Sequence, residues 1–312
     1  MRKRVLVTGK NGLVGTAIRE VSEGYCPDFD FVYVGRAETD LTKEQEVESL
    51  FRIVKPDYVI HTAAKVGGIG GNINEPAAMF YDNILMNTHV IHQAWKYGVE
   101  KLLAFSSVCV FPDGIPVLRE DLMQQGEPYH TQFAYGSAKR AIDAQIRAYK
   151  KQYGDRQFAS IIPCNIFGKY DYYNLQNGHV IPSLIHKLFV AKNTDKPFVV
   201  WGDGSAKREF IYSCDLADIA IKLLYRNTIP ERILVSNNNQ VSIRQVVEML
   251  VKIANFKGEV VWDTSKPNGQ SARPTDLTLL KSLMGGYEYT DLEEALKESY
   301  EWFVNNPDKV RL

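Results

Sequence analysis

The chain has 312 residues, of which 45% are apolar and 24% charged, so it is long enough to bury a large core and to form two domains. Its 37 Lys and Arg residues balance 37 Asp and Glu residues, and this balance gives no indication of a nucleic-acid or membrane partner. No apolar run approaches the ~20 residues that span a bilayer, and the basic N-terminus is not followed by the apolar stretch of a signal peptide.

Short β-branched apolar runs alternate with longer helical patterns over the first 165 residues. The predicted strands are 4–8, 31–34, 58–61, 101–106 and 158–163, and the predicted helices are 13–23, 43–54, 76–97 and 134–153. This alternation predicts parallel βαβ units, and continuously apolar runs indicate strands that are covered on both faces. We therefore predict an α/β fold with a doubly wound parallel (Rossmann) sheet that binds ligands at the carboxyl ends of its strands.

The pattern changes after Gly168, which indicates a second and smaller α/β domain for the substrate. A helix over 179–191 and a strand over 198–201 are predicted there, whereas 211–225 and 233–236 are expected to return to the first domain. Ser242 with Gln245 and Thr290 with Glu293 match the capping box at the start of two later helices. The predicted division is 1–165 plus about 211–238 for the Rossmann domain, and about 166–210 plus 239–312 for the substrate domain.

Four cysteines are scattered along the chain without a Cys-x-x-Cys pair: Cys26, Cys109, Cys164 and Cys214. This spacing predicts free thiols in a reducing, cytoplasmic setting rather than a disulfide framework. No metal site is predicted.

A glycine-rich turn joins the first predicted strand to the first predicted helix. Glycines at this position allow a tight turn and a close approach of the backbone to a pyrophosphate, and the helix N-terminus offers free N–H groups to phosphate. The turn therefore predicts a dinucleotide site. Its members are Gly9, Asn11, Gly12, Leu13, Val14 and Gly15.

The second strand ends in Val34-Gly35-Arg36, with a guanidinium where NAD enzymes place a ribose-binding carboxylate. A planar guanidinium fits the 2′-phosphate of NADP, so Arg36 favours NADPH as the cofactor. Lys10 and Asn11 are candidates to assist Arg36. The alternative interpretation is a solvated arginine at a strand end.

Tyr135 and Lys139 are four residues apart, so they share one face of the predicted helix. A phenol ordinarily titrates near ~10, and a nearby ammonium is expected to lower that pKa. Ser107, at the end of a strand, is expected to polarise a carbonyl oxygen that receives its proton from Tyr135. Ser106 competes for this role, and a surface Tyr and Lys on an amphipathic helix is the alternative for the pair.

Cys109 lies two residues beyond Ser107, on the same face if the strand continues. His179 begins the helix that follows the change of pattern. A thiolate base and an imidazolium acid on either side of a ketone can remove an α-proton and return it to the opposite face. The alternative for Cys109 is a small buried apolar side chain.

Seven segments together resemble the extended short-chain dehydrogenase/reductase family and, within it, the GDP-L-fucose synthases, over essentially the whole chain. They are Ala63-Ala-Lys-Val-Gly-Gly-Ile, Ser106-Ser-Val-Cys-Val-Phe-Pro, Tyr135-Gly-Ser-Ala-Lys-Arg, Ile162-Pro-Cys-Asn-Ile-Phe-Gly168, Gly178-His-Val-Ile-Pro, Val200-Trp-Gly-Asp-Gly and Arg208-Glu-Phe-Ile-Tyr. The resemblance implies NADPH-dependent conversion of GDP-4-keto-6-deoxy-D-mannose to GDP-L-fucose, by 3,5-epimerisation and then reduction of the 4-keto group. It assigns reduction to Ser107, Tyr135 and Lys139 and both epimerisations to Cys109 and His179. It also implies a homodimer that forms through the helices 76–97 and 134–153.

The resemblance further implies two sets of binding residues. Besides the glycine turn and Arg36, the cofactor set is Asp40, Leu41, Ala63, Ala64, Lys65, Tyr135, Lys139, Pro163, Asn165, Ile166 and His179. The substrate set is Ser107, Val108, Cys109, Asn165, Val180, Lys187, Trp201, Arg208 and Arg273. Lys187 and Arg208 are expected to hold the diphosphate, and Trp201 is expected to lie beside the guanine.

The chain also departs from the pattern of this family. Gly168-Lys-Tyr-Asp-Tyr-Tyr replaces the usual Gly-Pro-His-Asp-Asn-Phe next to the sugar site, Arg273 replaces a usual Lys, and Ala272 replaces a basic residue. One alternative is therefore a 4-reductase that acts on a related GDP-4-keto-deoxysugar or heptose without epimerisation. The other is a nonenzymatic NADP-binding sensor, although a sensor has no need of an intact Ser107, Tyr135 and Lys139 set.

Overall fold

The computed structural model describes residues 2–67, 69–154, 156–176, 178–266 and 273–312. Strands and helices alternate through its first half. In chain order these are β1 (Lys3–Thr8), α1 (Leu13–Val21), β2 (Phe29–Val34), α2 (Glu44–Val54), β3 (Tyr58–His61), α3 (Ile69–Asn74), α4 (Pro76–Lys96), β4 (Lys101–Phe105), α5 (Phe133–Tyr153) and β5 (Gln157–Pro163). The predicted strands and long helices of this half are confirmed, and each of their ends lies within two residues of its predicted position. The helix α3 was not predicted.

Shorter strands and further helices make up the second half. They are β6 (Asn165–Phe167), α6 (Val180–Thr194), β7 (Phe198–Trp201), β8 (Lys207–Tyr212), α7 (Ser213–Leu223), β9 (Arg232–Val235), β10 (Gln240–Ser242), α8 (Ile243–Ile253), β11 (Val260–Asp263), α9 (Thr278–Met284) and α10 (Leu292–Asn305). None of the helices in the described ranges combines the length and the apolar character needed to cross a membrane.

Six parallel strands form the main sheet in the order β2-β1-β3-β4-β5-β9. The chain runs from β1 outward to β2 and then returns to the other side of β1 with β3, so the strand order reverses between β1 and β3. Ligands of doubly wound sheets bind at the carboxyl ends of the strands beside such a reversal. The predicted fold class is confirmed, and the reversal places the glycine turn next to the residues that follow His61.

Both faces of the main sheet are covered, as the apolar strands predict. Val5 and Val7 of β1 belong to one core cluster, whereas Leu6 belongs to the cluster on the opposite face, and all three side chains are fully buried. This alternation is the consequence of the two-residue period of a strand. The sheet therefore forms a rigid layer beneath the carboxyl-end loops.

A separate core lies between α6, α8 and α10 and two small sheets, one ordered β10-β8-β6 and the other β11-β7. Leu277 and Leu280 lie outside this core and pack instead into the core of the main sheet. The α9 segment thus differs from its predicted membership of the substrate domain, because its apolar face is buried against the first core. The remaining domain boundaries stay a prediction.

The two capping boxes that the sequence predicts have different outcomes. Ser242 accepts from the N–H of Gln245 (3.1 Å), while the Gln245 side chain accepts from the Ser242 N–H (2.8 Å), so this box is confirmed. The Thr290 box is wrong, because Asp291 caps α10 and Thr290 Oγ1 donates to Asp215 Oδ1 (2.8 Å). The Thr290 hydroxyl therefore bonds to the buried Asp215 carboxylate instead of to the N-terminus of α10.

We expect Ser242→Ala to lower the free energy of unfolding by about 1 kcal/mol, because α8 loses its N-terminal cap. The measurement is urea unfolding followed by circular dichroism. Glu248→Ala, at an exposed interior position of the same helix, is the matched control and should change stability by less than about 0.5 kcal/mol. Equal effects of the two substitutions would contradict the role of the cap.

Candidate active site

The turn after β1 is so tight that Gly9 and Gly15 cannot be replaced by residues with side chains. Gly9 has a φ of +77°, and the Gly12 N–H donates to the Gly9 carbonyl (2.9 Å). A Cβ on Gly15 would lie 2.2 Å from the same carbonyl oxygen. Leu13 and Val14 form the first turn of α1 directly above, so the helix N-terminus faces the turn that the sequence assigns to a pyrophosphate.

Arg36 is exposed immediately beyond β2, as the proposed contact with a 2′-phosphate requires. Its expected helper Lys10 is already paired, since Lys10 Nζ lies 2.6 Å from Glu38 Oε1, and Glu38 also accepts from the Gly35 N–H (2.9 Å). Lys10 lies against Gly35, next to Arg36, so its help to Arg36 stays a prediction, and Glu38 already pairs with its ammonium. Asn11 stays close, because a Cβ on Gly35 would lie 3.3 Å from Asn11 Nδ2.

The loops after β2 and β3 hold the next predicted cofactor residues. Asp40 Oδ1 accepts from the N–H (3.1 Å) and the hydroxyl (2.7 Å) of Thr42, while Leu41 is buried. These contacts lower the pKa of Asp40, so its carboxylate stays ionised at the entrance to α2. The loop before α2 is therefore fixed by its own side chains.

Ala63, Ala64 and Lys65 follow β3 directly. Asn83 of α4 holds the Lys65 backbone at both polar groups, accepting from its N–H (3.1 Å) and donating to its carbonyl (2.9 Å). The Lys65 ammonium pairs with Glu75 (3.1 Å) and with Asp82 (3.5 Å). Asn83 thus fixes the backbone at Lys65, and the two carboxylates hold the Lys65 ammonium in its charged form.

A buried polar chain connects these loops to α5, and the sequence analysis did not identify it. His61 is fully buried, with Nδ1 2.8 Å from Thr8 Oγ1 and Nε2 3.1 Å from Asn87 Oδ1. Asn87 in turn donates to the carbonyl of Ala138 (3.3 Å). Burial lowers the pKa of His61 to about 3, with the charge of Lys139 acting in the same direction, so the ring is neutral. The only hint in the sequence is a histidine that ends an apolar strand.

Tyr135 and Lys139 lie on α5 with the ammonium 5.8 Å from the phenol ring centroid, and Lys139 Nζ donates to the Phe105 carbonyl (2.8 Å). Burial lowers the pKa of Lys139 to about 7. Burial also raises the pKa of Tyr135, with the charge of Cys109 adding to the rise. The predicted lowering of the Tyr135 pKa is therefore wrong in this structure, because burial disfavours the phenolate.

Ser107 and Cys109 are brought together by a helical turn instead of an extended strand. β4 ends at Phe105, the segment Val108–Val110 forms a 3₁₀ turn, and Ser107 Oγ accepts from the Cys109 N–H (3.3 Å). The expectation of a continuing strand is wrong, because the serine hydroxyl caps a turn here. The turn nevertheless brings the side chains of Ser107 and Cys109 close together.

Cys109 lies against the helix that carries Tyr135. A Cβ added to Gly136 would be 2.7 Å from the Cys109 carbonyl oxygen, so glycine at this position permits the contact. Burial raises the pKa of the Cys109 thiol, while the Ser107 hydrogen bond and the charge of Arg273 oppose the rise. Ser107, Cys109, Tyr135 and Lys139 thus form one cluster at the carboxyl edge of the sheet.

His179 belongs to a different element. It caps the N-terminus of α6, its side chain is 54% exposed, and its Nδ1 lies 3.8 Å from Asp171 Oδ1. Asp171 raises the pKa of His179, against the effect of burial. Across the described ranges, no hydrogen bond joins His179 to Cys109, so their predicted cooperation is left to the substrate that would lie between them.

The predicted substrate residues lie on two segments of the second core. Lys187 Nζ is 4.3 Å from the ring centroid of Trp201, and Lys266 Nζ is 5.9 Å from the same ring, which is half exposed. Burial lowers the pKa of Lys187. Val180, also exposed, begins the helix that carries Lys187. An accessible ring flanked by two cations suits a flat, anionic ligand.

Arg208 and Asn165 lie on the adjacent strands β8 and β6. Asn165 Nδ2 donates to the carbonyl of Glu209 (2.9 Å), and Arg208 Nη1 donates to the Lys207 carbonyl (2.6 Å). Asn165 itself is exposed, and it is flanked by Pro163, which ends β5, and by Ile166 of β6. Asn165 thus follows the last strand of the first half and pairs with β8 of the second core.

Arg273 lies closer to the catalytic cluster than the sequence indicates. Its Nη1 donates to the Pro112 carbonyl (2.5 Å), and its charge acts on the Cys109 thiol. Ala272, the neighbouring departure from the family pattern, lies outside the described residues. Buried Glu209 anchors this segment, because its carboxylate accepts from the hydroxyls of Thr275 (2.6 Å) and Ser236 (2.6 Å). The anchor was not predicted, since its partners are far apart in sequence.

Comparison with known proteins agrees with this geometry. The model of the NAD dependent epimerase/dehydratase family matches residues 5–235. A probable GDP-L-fucose synthase of Drosophila melanogaster is 38% identical over 99% of each chain. The crystal structure of a GDP-L-fucose synthetase from Naegleria fowleri bound to NADP superimposes with a TM-score of 0.94 at 34% identity, over 99% of this chain and 95% of that one.

A GDP-6-OMe-4-keto-L-xylo-heptose reductase from Campylobacter jejuni is a more distant structural match, with a TM-score of 0.87 and 27% identity over 98% of both chains. The family matches span both the main sheet and the second core, so the resemblance inferred from seven segments is confirmed. The chain therefore belongs to the NAD dependent epimerase/dehydratase family and, within it, to the GDP-L-fucose synthase family.

Proposed function

We propose that the protein converts GDP-4-keto-6-deoxy-D-mannose to GDP-L-fucose, by epimerisation at C3 and C5 followed by NADPH-dependent reduction at C4. The observation that carries this proposal is the packing of Cys109 against the helix turn of Tyr135, beside Ser107. One ketone can then contact both a base for its α-protons and a donor for its oxygen. The similarity to two GDP-L-fucose synthases supports the choice of substrate.

Reduction adds a hydride to C4 and a proton to its oxygen. Bound NADPH supplies the hydride. Ser107 hydrogen-bonds the carbonyl oxygen and Tyr135 donates the proton to it. The pKa of Lys139 is about 7, so this amine can take up or release a proton at neutral pH and restore the phenol after each turnover.

Epimerisation uses the acidity that the C4 ketone gives to the protons on C3 and C5. Cys109, as a thiolate, removes such a proton from one face, and His179, as an imidazolium, returns a proton to the other face. The charge of Arg273 favours the thiolate, and Asp171 favours the imidazolium. Each partner thus has a neighbour that favours the charged form required of it.

NADPH is favoured over NADH by the exposed Arg36, which stands at the end of β2, and the nearby Glu38 is already paired with Lys10. The glycine turn Gly9–Gly15 would hold the pyrophosphate of NADPH. The segment Ala63–Lys65 would line the nicotinamide side of the cofactor. The NADP-bound Naegleria fowleri protein supports this cofactor.

A 4-reductase without epimerase activity is the second candidate. The altered loop over 168–173 and the similarity to a GDP-heptose 4-keto reductase favour it. The presence of both Cys109 and His179 favours the bifunctional enzyme.

We further propose a homodimer formed through α4 and α5, which pack on one another and expose Tyr81, Phe133 and Tyr153. Large exposed apolar side chains on neighbouring helices are typical of an interface. A cytoplasmic location is supported by the four free cysteines. The two-domain division is proposed as stated above, with the α9 segment assigned to the Rossmann domain.

In D2O, we expect the enzyme with NADPH and GDP-4-keto-6-deoxy-D-mannose to give GDP-L-fucose that carries deuterium at C3 and C5. Cys109→Ser should slow this exchange by roughly 10²- to 10⁴-fold, because the base is lost, and should leave reduction of the already epimerised ketone largely intact. NMR of the product measures both. The exposed Cys26 gives the control, since Cys26→Ser should change neither rate. Reduced product without deuterium from the unmodified enzyme would instead establish the 4-reductase.

We expect Arg36→Ala to weaken NADPH binding by roughly 10- to 100-fold, because a charge-assisted contact with the 2′-phosphate is lost. NADH, which lacks this phosphate, should bind the variant and the parent equally. Fluorescence titration of each cofactor measures the effect. Arg52→Ala, which removes an exposed arginine from α2, is the control, and an equal loss for NADH and NADPH would argue against the assignment.

A further inference from the structure

Asp171 is a buried acid in the loop where the chain departs from its family. Its side chain is only 4% exposed, and its Oδ1 accepts from the N–H of Tyr172 (2.7 Å). Its Oδ2 is buried and makes no hydrogen bond to any part of the chain that the structure describes. Because a buried carboxylate is costly without donors or a cation, the position of Asp171 calls for a partner.

His179 is the neighbour that can fill this need. Its Nδ1 lies 3.8 Å from Asp171 Oδ1, which is within ion-pair distance but longer than the ~2.7–2.9 Å of a charge-assisted hydrogen bond. The exposed half of the imidazole leaves room for the ring to turn through the remaining distance. A ring held at Nδ1 by a carboxylate has its Nε2 left for proton transfer.

Close packing of the backbone restricts how far Asp171 and His179 can move apart. A Cβ on Gly178 would lie 2.7 Å from the Tyr172 carbonyl oxygen and 2.4 Å from that of Asn174, so glycine lets the residue before His179 pack directly on the loop after Asp171. Tyr173 fixes the loop from the other side, since its hydroxyl donates to the carbonyls of Gly168 and Lys169 (3.1 Å each).

The charges around the pair support the same assignment. The Arg311 carbonyl accepts from the Tyr173 N–H (2.8 Å), and the charge of Arg311 interacts with Asp171. Asp171 is the charged group that acts on His179 and raises the pKa of its imidazole. Asp171 thus lies between two basic side chains, and its Oδ2, unbonded within the described ranges, leaves an acceptor open on the side of the loop that carries His179.

We infer that Asp171 is a positioning residue, which orients His179 and holds its proton so that the imidazolium acts as the acid of the epimerisation. The inference rests on the proposed function and extends it to the loop beside the sugar site. The segment over 168–173 differs from the family pattern on both sides of Asp171, but it retains the aspartate itself. The proposed role gives a reason for this, because the epimerisation needs the carboxylate.

Asp171→Asn tests the role by removing the charge with little change of shape. We expect the rate of deuterium incorporation at C3 and C5 to fall at least tenfold. This loss should be smaller than the roughly 10²- to 10⁴-fold loss that follows removal of the acid itself. Reduction of the already epimerised ketone should be largely preserved. The titration midpoint of His179, followed by NMR of the imidazole signals, should shift to lower pH, and the part of the pH profile of exchange that depends on His179 should shift with it.

The imidazole NMR signals of the other five histidines are internal controls, since unchanged chemical shifts show that the variant is folded. Asp195→Asn, at an exposed position after α6, is the matched control and should change nothing. Asp171→Glu, which keeps the charge, should restore part of the exchange and of the raised midpoint. In the unmodified protein the His179 midpoint itself should lie above the ordinary value of ~6.5.

Two results would overturn the role: an unchanged His179 midpoint in Asp171→Asn, or equal losses of exchange and reduction. These are distinct from failure of the proposed function, in which the unmodified enzyme reduces its substrate without any exchange. That last result would remove the epimerisation and the role of Asp171 with it, whatever the titration of His179.

Discussion

The neutral, fully buried imidazole of His61 connects the two halves of the active site. One ring nitrogen contacts the Thr8 hydroxyl at the end of β1, and the other contacts Asn87, whose amide donates to the carbonyl that precedes Lys139. A buried and satisfied polar chain of this kind has little freedom to rearrange. The spacing between the glycine turn and the proton donors on α5 is thereby fixed by the same contacts that close the core, and the substrate-side residues are arranged around this fixed distance.

Burial governs the ionisation of the groups around Tyr135. The phenol and the Cys109 thiol are both shifted toward their neutral forms, and so is Lys139. In such a site a thiolate needs a cation and an imidazolium needs an anion. Arg273 and Asp171 occupy those positions, and both lie on segments outside the main sheet. In the proposed mechanism, the sheet and α5 therefore carry the groups assigned to reduction, while the surrounding loops carry the charges assigned to epimerisation.

Much of this arrangement was predictable because its determinants are local. The alternation of apolar runs and helical patterns gives the main sheet, and the spacing of Gly9, Gly12 and Gly15 gives the turn after β1. The prediction that failed for Ser107 to Cys109 involved a serine hydroxyl that can end a strand by capping a turn. Likewise, Thr290 and Asp291 are adjacent and both can cap a helix, so a distant carboxylate decided between them.

The remaining site residues depend on contacts between positions far apart in the chain. Glu209 meets Thr275 and Ser236, and His61 meets Thr8 and Asn87, although no local pattern connects them. The direction of the Tyr135 shift also depends on how many distant atoms cover the phenol. Such properties belong to the assembled core, which is why the sequence could propose the types of site residue but not the pKa shifts that their surroundings produce.

The position of β9 has a consequence for how the chain is made. β9 pairs with β5, but the roughly 70 residues between them must be synthesised first, which takes about 3 to 14 s at about 5–20 residues per second. During that interval β5 has an open edge, and unpaired edges of apolar strands promote association between chains. Nascent chains are thus exposed to mispairing at the β5 edge until Arg232–Val235 have been synthesised.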